Sequence, residues 1–433
     1  MRRRKIAIVG TGIAGNVAAL HLHRAGHDIT VFEADDHLGG HTHTHRVEVD
    51  GQVLHVDTGF IVFNDRTYPR FVALLDELGV PSQPSSMSFS VRNDASGLEY
   101  NGTSLNGLFA QRRNLLRPGF LAMLAEILRF NREAPALLRD GGDETTLGDY
   151  LEAHRFGGRF VDDYLVPMGA AIWSTDPHQM FDFPARFFVR FLSNHGMLTV
   201  NDRPVWRVVR GGSARYVERL VAPFRTRIRL NSPVEAVRRR PDGVSVHVRG
   251  RAAEPFDDVF LACHADEALR MLADPSREER EVLGALPYQR NEAVLHTDTS
   301  LLPRSRRAWA AWNYHRLPGP RAGVALTYDM NVLQGLKSRH TFCVTLNASG
   351  YVDPARVLRR MEYAHPLFTP AGAAAQRRHH EISGVRRTHY CGAYWRYGFH
   401  EDGVASALQA LARFEEACRR EDDDAQRALS RVA

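Results

Sequence analysis

The sequence predicts an α/β protein in two parts: a Rossmann-like dinucleotide-binding domain assembled from separated stretches, and an interleaved α+β domain. Three observations predict it. The chain opens with an apolar strand, a GxGxxG turn, a helix and a second strand that ends at an acidic residue. Strand and helix patterns that could complete such a domain return between residues 205 and 265 and again in the last 50 residues. The length, 433 residues, exceeds the roughly 100–200 residues of one ordinary domain.

In "KIAIVGTGIAGNVAALHLHRAGHDITVFEADDHLGG" the run Ile6 to Val9 reads as a buried parallel strand. Gly10, Gly12 and Gly15 make GxGxxG around Ile13 and Ala14, residues 14–25 read as a helix stopped at Gly26, and Ile29 to Phe32 form a second strand ending at Glu33 and Ala34. The glycines serve a tight turn, close backbone approach to a pyrophosphate at the positive helix end, and close packing of helix on strand. Glu33, 18 residues past Gly15, is placed to accept hydrogen bonds from a ribose and to repel a 2′-phosphate.

"GGHTHTH" then sets His41, His43 and His45 at alternate positions, where an extended chain puts them on one face. They could converge on a metal, but no carboxylate or cysteine is spaced to complete the site, and none is expected. The run "ADDHLGGHTHT" resembles the second phosphate-contacting stretch of the glutathione-reductase and amine-oxidase type of flavoprotein. That resemblance implies FAD, with Gly39, Gly40, His41 and Thr42 along its pyrophosphate.

Composition bounds the rest. Hydrophobic residues at 44% and charged residues at 24% are ordinary for a globular protein. Cys263, Cys343, Cys391 and Cys418 form no CxxC, which argues against a disulfide framework or zinc knuckle and fits a reducing cytoplasm. No apolar run reaches the roughly 18–20 residues of a membrane span, and "MRRRKIAIVG" lacks the features of a signal peptide, so a cytoplasmic location is expected. The net charge of +6 permits attraction to an anionic surface. The basic residues are not interleaved with aromatics as in a nucleic-acid motif, so no nucleic-acid partner is expected.

Farther on, "GGSARYVERL" reads as a turn and helix, "RIRLNSPVEAVRRRPDGVSVHVRG" as two strands around Asp242 and Gly243, and "FDDVFLACHADEAL" as a buried strand ending at a helix. Similarity to amine oxidases implies that Val234 contacts adenine, with the strand ending at Ala262 near the same end of the cofactor. In "YCGAYWRYGFHEDGVASALQALARFEEA" a strand ending at Cys391 and Gly392 leads to a helix starting near Asp402, Gly403 and Val404. The open N–H groups of that helix would face the flavin ring where negative charge gathers on reduction. Ala393 replaces the acidic residue usual after the glycine, so a ribitol or phosphate contact is expected from Asp402. His400 falls where amine oxidases place an aromatic residue on the flavin face. "DTGFIVFN" matches the loop beneath the flavin and makes Thr58, Gly59 and Phe60 near-ring residues.

These segments, with "VDTGFIVFNDRTYPRF", "MSFSV", "AAIWS", "NHGM", "VWRVVRGGS", "TYDMNVLQ" and "YWRYGFHEDG", resemble across almost the whole chain a family of FAD-binding, amine-oxidase-like bacterial proteins associated with cyclopropane fatty-acid synthase-like methyltransferases. One branch resembles the flavin-dependent desaturase that acts on methyl-branched fatty acyl chains in furan fatty-acid synthesis. The resemblance implies an oxidoreductase that desaturates a phospholipid-bound acyl chain, passing hydride to FAD, with dioxygen restoring the oxidised flavin and a fatty-acid methyltransferase as functional partner. A histidine of near-neutral pKa suits the accompanying proton transfer: His400 is the first candidate and His195 the second. The alternatives are an FAD amine oxidase, a carotenoid-type desaturase, and a non-catalytic flavin-bound partner of a lipid methyltransferase. Lys5 and Lys337 are the only lysines, and neither suits the flavin-facing lysine of many amine oxidases.

The expected FAD-binding domain comprises 1–64, 203–265 and 386–433, and the substrate domain 65–202 and 266–385. Residues 108–138 read as two helices divided at Pro118 and Gly119, basic and amphipathic, a pattern suited to peripheral contact with the inner membrane face.

Overall fold

The computed structural model describes residues 2–140, 144–199, 203–319 and 323–432. Its first sheet has five parallel strands in the order Ile228–Arg229, Asp28–Phe32, Lys5–Val9, Asp258–Leu261, Thr388–Tyr390. Numbered along the chain this is 3-2-1-4-5, so the order reverses beside Lys5–Val9. In such sheets the crevice at the carboxyl ends, at that reversal, is the ligand site.

Strand alternation sorts the core into two layers. Ile6 and Ile8 pack with the helices Ile13–Arg24, Ala214–Val221 and His400–Val432. Ala7 and Val9 pack on the other face, against the antiparallel meander Val234–Arg240, Gly243–Val248, Glu254–Phe256 and the helix Ala265–Met271.

A second sheet of seven strands runs Val357–Pro366, Tyr288–His296, Cys343–Leu346, Leu326–Asp329, Trp312–Arg316, Phe89–Asn93, Leu98–Asn101. Its pairs are antiparallel except Trp312–Arg316 with Phe89–Asn93. Helices Pro118–Glu133, Leu147–Ala153, Val166–Trp173 and Ala185–Asn194 share an apolar cluster with it.

Several elements differ from the sequence expectation. Helix Pro69–Glu77, expected in the substrate domain, buries Phe71, Leu74 and Leu75 in the core of the parallel sheet. Helices Arg277–Gly284 and Pro370–Arg377 lie on its opposite face through Val282, Leu283 and Ala375. An amphipathic pattern shows which side chains are buried but not what buries them. Pro118 does start a long helix, because a missing N–H costs nothing in the first turn, but a 3-10 turn, Arg112–Leu116, precedes it instead of a second full helix. The last helix begins at His400, before Asp402. Among the described residues no helix is long and apolar enough to cross a membrane.

Candidate active site

At the carboxyl end of the first strand, Gly10 has φ +101° and its N–H donates to Phe32 O at 2.8 Å. A Cβ there would lie 2.7 Å from Ala262 O, and one on Gly15 would lie 2.0 Å from Gly10 O. Gly15 thus lets the helix rest on the turn, which is a packing role. A Cβ on Gly12 would meet nothing within 4 Å, and the helix that Gly12 caps has no capping side chain. Its first N–H groups therefore open onto free space, an arrangement that receives a phosphate. Gly40 closes the cradle, since a Cβ on it would lie 3.3 Å from Gly12 Cα.

Glu33 is held by Thr11, whose N–H donates to Oε2 at 2.9 Å and whose hydroxyl donates to the same oxygen, and by Asp35 N–H at 3.1 Å on Oε1. The carboxylate is 8% exposed and sits at the edge of a cavity of about 1750 Å³. Gly10, Gly12, Ile13, Ala14, Glu33, Ala34, Gly39, Gly40, His41, Gly59, Phe60, Val234, Ala262, Gly392, His195 and His400 line that cavity. Its size exceeds the roughly 300–1,000 Å³ that a drug-sized ligand fills, which leaves room for a dinucleotide and a second molecule.

Six residues expected in the cofactor site are not among those lining the cavity. Besides Gly15, these are Thr42, Thr58, Asp402, Gly403 and Val404. Thr42 shares its hydroxyl with Tyr216 OH at 2.6 Å, and Thr58 shares its own with Tyr363 OH at 2.7 Å. Gly403 packs on Ile13, where a Cβ would lie 2.6 Å from Cγ2, and Val404 is buried in the same helix layer. Asp402 turns back to accept from Phe399 N–H at 3.0 Å and so caps the last helix; burial pushes its carboxyl up to about 7. A short acidic side chain in a first helical turn satisfies the helix's own donors before it reaches a ligand.

The loop carrying Gly59 and Phe60 is fixed by Asp57. This buried carboxylate accepts from Ser213 N–H at 2.9 Å, Ser213 Oγ at 2.8 Å, Thr44 Oγ1 at 2.5 Å and Gln334 Nε2 at 3.0 Å. Burial outweighs these bonds and raises its pKa to about 6.

His400 stacks on Phe60, ring centroids 3.4 Å apart. Its Nε2 lies 2.9 Å from Thr42 Oγ1 and 2.8 Å from Tyr216 OH. Burial lowers its pKa to about 3, below the near-neutral value expected from the sequence. His195 has both nitrogens engaged: Nδ1–H donates to Phe191 O at 2.9 Å, and Nε2 accepts from Thr67 Oγ1 at 3.1 Å. Its pKa is lowered to about 4, again by burial, so it too is a neutral wall residue.

The alternate histidines do not converge. His43 stacks with His37 and lies beside His45, both at 4.0 Å between centroids, while His41 turns toward His264 and His365. Among the described residues no group of three potential ligands is arranged to hold a metal ion.

A model of the flavin-containing amine oxidoreductases matches residues 13–308. The chain belongs to that family. A putative flavin-containing monoamine oxidase, AofH, of Mycobacterium tuberculosis is 28% identical over 340 residues, covering 75% of this chain and 70% of the relative. An L-amino-acid oxidase of Siganus canaliculatus is 26% identical over 315 residues, covering 68% and 57%. Among solved structures, cyclohexylamine oxidase from Brevibacterium oxydans matches with a TM-score of 0.70 at 16% identity, covering 96% of this chain and all of that one. A fatty acid isomerase from P. acnes matches with a TM-score of 0.67 at 16% identity, covering 95% and 98%. At these identities the solved structures establish the fold.

This flavin-containing amine oxidoreductase therefore takes FAD, and the uncapped helix end, the Gly12 and Gly40 cradle and Glu33 fit it. Away from the cradle the cavity wall is aromatic and sulfur-rich, with Met87, Phe89, Tyr164, Met168, Trp173 and Phe191. Neither lysine is among the lining residues; Lys337 lies in a loop, where its carbonyl accepts from Gln52. Sequence reasoning missed Asp57, Tyr216, Asn291 and His365, because single polar residues inside strands and helices carry no periodic signal.

Proposed function

We propose that this FAD-dependent oxidoreductase desaturates a methyl-branched acyl chain of a phospholipid at the membrane surface. One observation carries the reading: Leu105, Leu115, Leu116, Leu121 and Leu128 are exposed, at 77, 51, 87, 43 and 60%, in the stretch of chain that leads away from Gly102 and Thr103, exposed residues that line the cavity. Leu121 and Leu128 are seven residues apart on one face of helix Pro118–Glu133. Arg112, Arg113 and Arg117 stand among them. Exposed leucines gathered in one stretch of chain suit a contact surface, and arginines among them in sequence suit anionic headgroups. An acyl chain would then pass from the bilayer to the aromatic wall of the cavity.

FAD supplies the hydride acceptor. The protein holds the chain in an apolar slot, excludes water and fixes the loop beneath the ring through Asp57. The lining carboxylates Glu33, Asp35, Asp36, Glu235, Asp266 and Glu267 come from the nucleotide-sheet side, and Glu362 is paired with Arg290 at 2.8 Å. Recognition of an ammonium group by a carboxylate in the aromatic part is thereby disfavoured. Dioxygen is the proposed acceptor for the reduced flavin, and a fatty-acid methyltransferase the proposed source of substrate.

Amine oxidation is the second reading, favoured by the monoamine and amino-acid oxidases among the relatives. Anaerobic flavin absorbance separates the two. Bleaching by vesicles containing methyl-branched, monounsaturated acyl chains, and not by alkylamines or amino acids, supports desaturation; the reverse pattern assigns the chain to amine oxidation. Oxidised flavin with every compound leaves the role of a flavin-bound partner.

A further inference from the structure

A second cavity, of about 460 Å³, lies at the amino edge of the parallel sheet, against Arg4, Asp258 and His389, which sit at or beside the starts of three neighbouring strands. The flavin crevice is at the other ends of the same strands, roughly 15 Å away at about 3.3 Å per residue. Five arginines line the second cavity: Arg4, Arg239, Arg240, Arg386 and Arg387. Its size suits a small organic ligand.

Three of the five are already paired. Arg4 donates to Asp258 Oδ2 at 2.8 Å and to Glu421. Arg239, its side chain 1% exposed, donates to Glu279 at 2.7 and 2.8 Å and to Asp274 at 2.8 Å, and Arg386 donates to Asp274 as well. Both carboxylates on the wall, Asp258 and Glu421, are thus held by Arg4. Among the described residues, the guanidinium groups of Arg240 and Arg387 form no ion pair or hydrogen bond. They are brought together by their neighbours, since Arg239 Nη1 donates to Thr388 Oγ1 at 3.4 Å. His389, 2% exposed, also lies on the wall, with Nε2 3.4 Å from Asp258 Oδ1 and Nδ1 without a partner among the described residues.

The turn that presents Arg387 carries a steric cost. Thr388 N–H donates to Val385 O at 3.1 Å, and the two residues between them, Arg386 and Arg387, have φ +51° and +60°. A two-residue hairpin turn with both φ positive favours Asn-Gly, because a side chain on a left-handed residue crowds the backbone. Asp274 accounts for the guanidinium of Arg386, whereas that of Arg387 gains no partner from the protein. Strain held at a cavity wall by a side chain with no protein partner points to a ligand.

We propose that this cavity binds a phosphate group between the guanidinium forks of Arg240 and Arg387. Paired N–H groups of a planar guanidinium match phosphate oxygens two at a time. The volume leaves room for an organic group beside the phosphate, so the ligand class is a phosphate monoester or diphosphate. The anion joins the strand Val234–Arg240 to the strand Thr388–Tyr390, and its binding to the native protein raises the melting temperature. The inference is independent of the flavin site and of the acyl substrate.

Calorimetric titration with inorganic pyrophosphate tests it, on flavin-loaded protein so that the FAD diphosphate site is filled. One pyrophosphate should bind per chain, more weakly as salt rises, and the melting temperature should rise with its concentration. Arg387→Gly relieves a left-handed φ, and Arg240→Gln lies at the exposed end of a hairpin. The double variant should therefore fold with full flavin content and bind pyrophosphate at least tenfold more weakly. Absence of binding by the unmodified protein overturns the proposal, as does undiminished binding by the folded double variant. Two probes then give the source. Displacement of pyrophosphate by AMP assigns a soluble phosphate ester, while phosphatidic-acid vesicles that sediment the unmodified protein but not the double variant assign a lipid headgroup.

Discussion

Phe60 and His400 stack ring on ring, planes 13° from parallel, although 340 residues separate them. The contact ties the loop after Asp57 to the first residue of the last helix. His400→Ala removes that stack and the Nε2 partner of Thr42 and Tyr216. The loss should be about 2–4 kcal/mol, read by urea unfolding. Because His400 stays neutral down to about pH 3, a folded His400→Asn enzyme should keep the shape of the unmodified pH–rate profile. Disappearance of a limb near pH 6–7 would restore His400 as the base.

Acid should destabilise the protein well before its surface carboxylates titrate. His195, His296, His365 and His379 are lowered to about 4 and His400 to about 3, all chiefly by burial. The unfolded chain binds protons at these histidines below about pH 6.5 while the native protein does not, so stability falls as pH falls between about 6.5 and 4. Asp57 and Asp402, raised to about 6 and 7, work oppositely, since the native state binds their protons first. His43, also at about 4, and His41, held well down, add to the histidines, and Asp163 and Asp329 to the raised carboxylates; the histidines outnumber the carboxylates, so the net change from pH 7 to 5 is a loss of stability. Thermal unfolding at the two pH values checks the sign.

Gly12 and Gly15 should separate binding from folding. Gly12→Ala puts a methyl into open space, so the flavin-free protein should melt as before while retained absorbance near 450 nm falls at least tenfold. Gly15→Ala drives a methyl against Gly10 O and should destabilise the flavin-free protein itself, by about 3 kcal/mol.

Arg239 and Glu279 form a buried two-bond pair at 2.7 and 2.8 Å, and Tyr390 OH adds a bond to Glu279 at 2.6 Å. Glu279→Gln removes one of the two carboxylates on the guanidinium, Asp274 remaining at 2.8 Å, and should cost about 2–3 kcal/mol in urea. Flavin spectra should not change, since neither residue lines the large cavity.

Leu121→Asp with Leu128→Asp should abolish sedimentation with anionic vesicles while flavin content stays at the unmodified level. Retained sedimentation would remove that helix face from the proposed membrane contact.

The nucleotide end was legible because its physics is local: a turn, a helix start and an acidic strand end occur within 24 residues, Gly10 to Glu33. The family resemblance carried the rest of that end, down to Val234 and Gly392 on the cavity wall. The neutral state of His400 and His195 and the bond from Phe399 N–H to Asp402 were not legible. Residue type suggested chemistry, while burial and the nearest donor, visible only in three dimensions, decided protonation. The hydrogen-bonded chain of Asn347, Asn291 and His365 draws on two strands and the residue after a third, and leaves no spacing to read. Helix Pro69–Glu77 was assigned to the other domain because amphipathicity does not name the partner layer.

The parallel sheet has a consequence for synthesis. Its central strand is made first, yet one neighbour, Asp258–Leu261, and the edge strand, Thr388–Tyr390, emerge far later, as does Phe414, which packs in the same layer as the first helix. At about 5–20 residues per second, the GxGxxG turn waits roughly 20–80 s on the ribosome before its supports exist. Flavin loading is thus a late event in the life of the nascent chain, and the apolar first strand needs shelter from aggregation until then.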